Sequence, residues 1–184
     1  MIVFFYVIIN LGDIMKYSIK VNDTHLQEAI NHKDKKIVNI LNFFNIENVN
    51  IKITVLKYED FKKEYESYLK RELNGYSIGF IEDNKNEVII IDYDDYKYTT
   101  HDGEPYEYYV KVVIHEFVHA VHAIACNHNY PETKVWEGIA VYLSEQYDFD
   151  NHIGYGPYYE YGLYMHDYIN CHTKEDVLKV LNIQ

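Results

Sequence analysis

The chain is short of basic charge. Seventeen Lys and Arg residues stand against 29 Asp and Glu, for a formal net charge of −12, and Arg71 is the only arginine. An acidic surface repels phosphate backbones, which argues against a nucleic-acid partner. Cysteine is scarce too. Cys126 and Cys171 allow one disulfide, and two reduced thiols suit them equally. Neither has metal-ligand spacing to another cysteine, so a cysteine-based metal site is excluded. Proline occurs three times, and no Pro/Gly/Ser-rich stretch divides the sequence. The chain therefore reads as one domain over 16–184, preceded by an unusual segment, 1–15. The longest apolar run, MIVFFYVIIN at 1–10, is too short to span a bilayer as a helix. It also lacks the basic region and cleavage site of a signal peptide. Translation from Met15 would give an ordinary start, MKYSIKVND, so 1–15 is expected to be an over-extended start or a weak hydrophobic leader. Without it the protein is expected to be cytoplasmic with no membrane partner. With it, secretion or membrane association follows.

What is present is a globular composition, 48% apolar and 25% charged. Tyrosine is unusually frequent, with 21 residues. Genome bias toward AT-rich codons accounts for this first, although tyrosine also suits substrate clefts.

Periodicity predicts the elements. Tyr17–Val21 alternates as a strand, and Thr24 caps one helix running to about Asn45. Asn50–Lys57 alternates again, and Glu59–Leu73 carries a helical apolar face. Tyr76–Ile81 and Val88–Asp92 flank DNKN as a hairpin, followed by a polar loop to Glu104. Helices are then expected over Tyr106–Cys126, from Pro131 through Gln146, over Tyr158–Ile169, and after the cap Thr173. Strands with helices come first and helices alone follow. That order predicts an α+β fold, with a small mixed sheet in the N-terminal half and a helical C-terminal half.

The chemistry concentrates in His115-Glu116-Phe117-Val118-His119. Imidazoles four residues apart on a helix share one face and can reach a single ion. Glu116, on the neighbouring surface, can reach an attacking water rather than the metal. The surroundings are apolar, from Val112 to Ile124, and two histidines and a carboxylate are costly there unless paired or metal-bound. Glu137 is the best third ligand, because a short loop at Asn127–Tyr130 returns the next helix over the first. His122, His128 and Glu132 compete.

HEFVH followed by Trp136-Glu137-Gly138-Ile139-Ala140-Val141-Tyr142 resembles the gluzincin zinc peptidases, most closely the aminopeptidase N-like branch and the compact minimal gluzincins. Tyr159-Glu160-Tyr161-Gly162 is similar to a Y-E-K-G segment of that branch. The resemblance implies a zincin-like fold and one Zn²⁺ on His115, His119 and Glu137. It further implies Glu116 as general base and Tyr159 as oxyanion donor, acting on a peptide or protein substrate. It covers Tyr109–Ile169 at most. The histidine-to-glutamate spacing is one residue shorter than usual for the branch. The glycine-rich exopeptidase motif is missing, with Val88–Asp92 at that stage of the chain, so an endopeptidase or small-peptide hydrolase is expected. Val141 replaces the acidic partner found in thermolysin-like enzymes, which leaves the groups orienting the histidines unidentified. His152 and His166 are reserve oxyanion or leaving-group helpers. The strand at Val88–Ile91, if at a sheet edge, could pair with an extended substrate. Two other readings remain open: a zinc-binding regulatory or interaction protein with little catalysis, and a structural protein with a fortuitous motif.

Overall fold

Alternating apolar and polar residues build the sheet. The computed structural model describes residues 7–10 and 16–184, so most of the segment expected to be a false start or leader lies outside the described residues. Its strands are Val7–Asn10 (β1), Lys16–Val21 (β2), Asn48–Leu56 (β3), Gly79–Glu82 (β4) and Glu87–Ile91 (β5). They lie in the order β1-β2-β3-β5-β4. The outer pairs β1–β2 and β4–β5 are antiparallel, and β2–β3 and β3–β5 are parallel. The fold is thus mixed α and β, with a small mixed sheet.

Parallel neighbours need crossovers. Thr24–Asn31 (α1) and Asp34–Phe43 (α2) link β2 to β3, and Tyr58–Leu69 (α3) begins the path from β3 to the hairpin. The single helix expected from Thr24 to Asn45 is two helices. The break falls in the charged run His32–Lys36. There the Asp34 carboxylate accepts a hydrogen bond from the Tyr17 hydroxyl on β2, and Lys33 N–H bonds Ile30 O rather than the carbonyl four back. The expected polar loop after β5 is also more ordered. Tyr93–Tyr98 forms a 3-10 helix with Asp95 and Tyr96 buried. Asp95 accepts from Tyr58 N–H at 2.9 Å, satisfying a donor at the start of α3.

β5 settles where a peptide could pair. Each of its residues is buried, and it hydrogen-bonds β3 on one side and β4 on the other. The substrate-pairing role expected for Val88–Ile91 therefore fails, because that strand has no free edge. The edge belongs to β4.

Tyr106–Ala125 (α4) packs on β3, β4 and β5. It is apolar almost all round, as a helix enclosed on most sides must be. Thr133–Ser144 (α5) returns over it, and Pro157–Cys171 (α6) and Lys174–Val180 (α7) complete the helical half. The α5–α6 contact is close because position 138 is glycine. A Cβ there would lie 2.4 Å from the Tyr161 carbonyl oxygen and 2.7 Å from Met165 Cγ. Cys126 is buried, Cys171 is exposed, and they do not pair. Among the described residues, no helix is long and apolar enough to cross a membrane.

Candidate metal centre

Two helices and one cap assemble the centre. On α4, His115 and His119 lie one turn apart and are both buried. Asn127 and His128 adopt left-handed backbone, with φ 48° and 58°, and reverse the chain so that α5 carries Glu137 back over them. Glu137 Oε2 stands 3.3 Å from His115 Nε2 and 3.3 Å from His119 Nε2. These are long for hydrogen bonds, which cluster near 2.9–3.0 Å. A tetrahedral ion bonded at about 2.0–2.1 Å holds neighbouring ligands about 3.3–3.4 Å apart. These two distances fit co-ligands of one ion. Among the described residues these three form the one such group, with all ligand atoms within 4.8 Å of one another. A buried His-His-Glu group here could hold a metal ion.

The hydrogen bond at the far side of His115 fixes its tautomer. His115 Nδ1 lies 2.9 Å from Gln146 Oε1. An amide oxygen only accepts, so Nδ1 carries the proton and Nε2 presents a lone pair to the cleft. Gln146 is placed by the end of α5. Glu145 turns left-handed at φ 55°, Gln146 N–H reaches back to Val141 O, and the chain folds toward α4. His119 has no such partner, and its Nδ1 is buried without one. Its ring is stacked on Trp136 instead, with centroids 4.5 Å apart and planes 15° apart.

Glu116 lies in the same cavity but outside the ligand group. Loss of solvent pushes its carboxyl above the ordinary range; Glu137 adds to this, and His115 and His119 oppose it. Burial alone would also raise Glu137, but His119 and His115 hold it well below the usual range. His115 is raised in turn, since Glu137 and Glu116 outweigh the burial that would lower it. Glu116 packs directly on β4. A Cβ at Gly79 would sit 2.8 Å from Glu116 Cγ and 3.1 Å from Oε1. Only glycine lets the edge strand approach so closely.

The cavity has a volume of about 520 Å³, and its walls include Ser77 and Ile78 before β4, Gly79–Ile81 of β4, Tyr108, Tyr147 and Tyr158. Tyr159 is not among them. It packs on Phe149, rings 5.7 Å apart, and on Tyr147, 5.5 Å apart. Its neighbour Tyr158 lines the cavity instead, with its ring 6.4 Å from that of His115. Desolvation, with the charges of Glu137 and Glu116, pushes the Tyr158 hydroxyl up to about 12, so it stays protonated at neutral pH.

The other candidates stand elsewhere. His122 is fully buried and donates from Nε2 to Leu181 O at 2.9 Å. His128 is exposed beside Tyr130, and Glu132 is the exposed N-cap of α5. His152 is exposed at φ 54°. His166 lines a different cavity, between Asp150 and Asp167. Tyr158, Gln146 and Gly79 were missed from sequence. Tyrosines at 158 and 159 differ only in helix phase, and no pattern in the sequence marks a side chain just beyond a helix end as a histidine's partner.

Comparison of the chain with family models, with curated proteins and with solved structures gives no match.

Proposed function

We propose that this protein is a zinc-dependent peptidase of zincin-like architecture, similar to the gluzincins, acting on peptide or protein substrates. One observation carries the reading. A carboxylate outside the ligand group, Glu116, lines the same cleft as three candidate ligands whose donor atoms lie within 4.8 Å of one another, and it packs on the edge strand β4. A site built only to bind metal has no use for that fourth group.

Nitrogen and carboxylate ligands at this spacing suit Zn²⁺, which would supply Lewis acidity and lower the pKa of water. The protein's own groups do the rest. The free edge of β4 can pair with an extended peptide backbone and hold its carbonyl over the cleft. Glu116, whose carboxyl burial raises above the ordinary range, takes a proton from the attacking water and passes it to the leaving nitrogen. The protonated Tyr158 hydroxyl donates to the developing oxyanion, the role expected of Tyr159.

The test compares three substitutions in metal-loaded protein against a peptide library. Glu116→Gln should keep metal and fold yet lose activity by about a thousandfold. Tyr158→Phe should cost about a hundredfold in turnover with little change in binding. Tyr159→Phe should cost almost nothing. A Glu116→Gln variant as active as wild type overturns the reading. A slow Tyr159→Phe beside an unaffected Tyr158→Phe returns the oxyanion role to Tyr159.

A further inference from the structure

The one arginine of the chain lies at the metal cleft. Arg71 follows the left-handed end of α3, where Lys70 has φ 55°, and it lines the same cavity as His115, Glu116 and Glu137. Its guanidinium lies over the Tyr65 ring, 5.3 Å from the centroid, and Tyr65 is anchored by a 3.1 Å hydrogen bond between its hydroxyl and Ser77. Among the described residues no carboxylate pairs with Arg71, although the chain carries 29 acidic residues. Its charge reaches the reacting region, since Arg71 is the group that pulls the Tyr158 hydroxyl downward against the two glutamates.

Charge balance decides what this arginine can do. The cavity's carboxylates are Glu116 and Glu137, and a divalent ion offsets both. Arg71 is then the cavity's uncompensated charge. A guanidinium presents a planar fork of donors that matches a carboxylate with two parallel hydrogen bonds. The guanidinium is itself steadied by the Tyr65 face, so less freedom is lost when it binds.

We infer that the cleft selects peptides that carry a carboxylate near the scissile bond, and that Arg71 reads it; this rests on the peptidase reading above. Two sources supply that chemistry, an Asp or Glu side chain and the peptide's own C-terminus. The net charge of −12 repels such peptides at long range, so the preference arises from short-range contact.

The experiment uses matched peptides with Glu or Gln at each position flanking the cleaved bond, each with a free or amidated C-terminus. The readout is the ratio of kcat/KM for the acidic and neutral members. Wild type should prefer the acidic member by roughly tenfold, Arg71→Gln should bring the ratio to about one, and Arg71→Lys should restore part of it. The position whose neutralisation removes the preference identifies the source. Trp136, the single tryptophan, lines the cavity, so quenching of its fluorescence on titrating the same peptides into Glu116→Gln protein reads binding without turnover. A wild-type ratio near one, or a preference that survives Arg71→Gln, overturns the inference. Cleavage of no peptide at all overturns the peptidase reading instead, and the Trp136 titration then decides the role of Arg71 alone.

Discussion

His115, His119 and His122 stand on one helix and are 6%, 5% and 0% exposed, yet they are different chemical groups. The first two meet the Glu137 carboxylate. The third meets the Leu181 carbonyl oxygen and rings of Trp136 and Phe44, 4.8 and 5.1 Å away. The His115 pKa is raised, whereas burial pushes His122 down to about 4. Residue type and burial are shared, so neither by itself makes a candidate metal ligand. The partner brought by the next helix does.

The sharpest way to break this comparison is to remove the partner. Glu137→Ala should weaken Zn²⁺ binding by more than a hundredfold, because one of three protein ligands is lost. His122→Gln should bind as wild type. Calorimetric titration of metal into the stripped protein measures both. Zinc retained by Glu137→Ala moves the third ligand elsewhere, and zinc lost from His122→Gln ends the distinction between the histidines.

The next effect appears in acid. A carbonyl only accepts, so His122 Nε2 carries the proton and Nδ1 is a buried lone pair with no partner. Protonating it places an unpaired charge in the core. With a folded pKa of about 4 and an unfolded value near 6.5, the unfolded chain binds the extra proton between those limits. Stability from this group is complete above about pH 6.5 and is lost as pH falls toward 4, by at most about 3 kcal/mol. His122→Gln keeps a donor for Leu181 and cannot titrate. Urea unfolding of metal-free protein across this range should show a shallower acid loss for His122→Gln. Parallel curves would mean that His122 takes up its proton as readily in the folded chain as in the unfolded one.

What could be read beforehand follows from how local each signal is. The spacing of His115 and His119 is a property of one helix. Glu137 needed only a short loop and a second helix. The hairpin was legible from two apolar runs around DNKN. Strand order was not, because the sequence does not say that β5 inserts between β3 and β4 and leaves β4 at the edge. Buried Ile and Val runs mark an enclosed strand only once its neighbours are known. The break between α1 and α2 falls where Asp34 bonds a distant tyrosine on β2, a contact no periodicity records. Which of Tyr158 and Tyr159 lines the cavity is one step of helix phase, which the spacing of tyrosines alone does not fix.

The smallest effect concerns the two candidate ligand histidines themselves, which are held in unlike ways. His115 is oriented by the Gln146 oxygen at 2.9 Å. His119 is oriented by the Trp136 face, and its Nδ1 has no partner. A partner on the far nitrogen fixes ring orientation and raises the basicity of the near one, and its loss typically costs tenfold or more in metal affinity. Gln146→Ala should therefore weaken zinc binding by roughly tenfold, read by competition with a chromophoric chelator. Gln146→Glu keeps an acceptor at the same reach and adds charge, so it should bind at least as well as wild type. That contrast separates the hydrogen bond from mere packing at the end of α5, since only the Ala variant lacks an acceptor. If Gln146→Ala binds zinc like wild type, His115 is held by its surroundings alone, as His119 is, and the asymmetry between the two ligands has no energetic content.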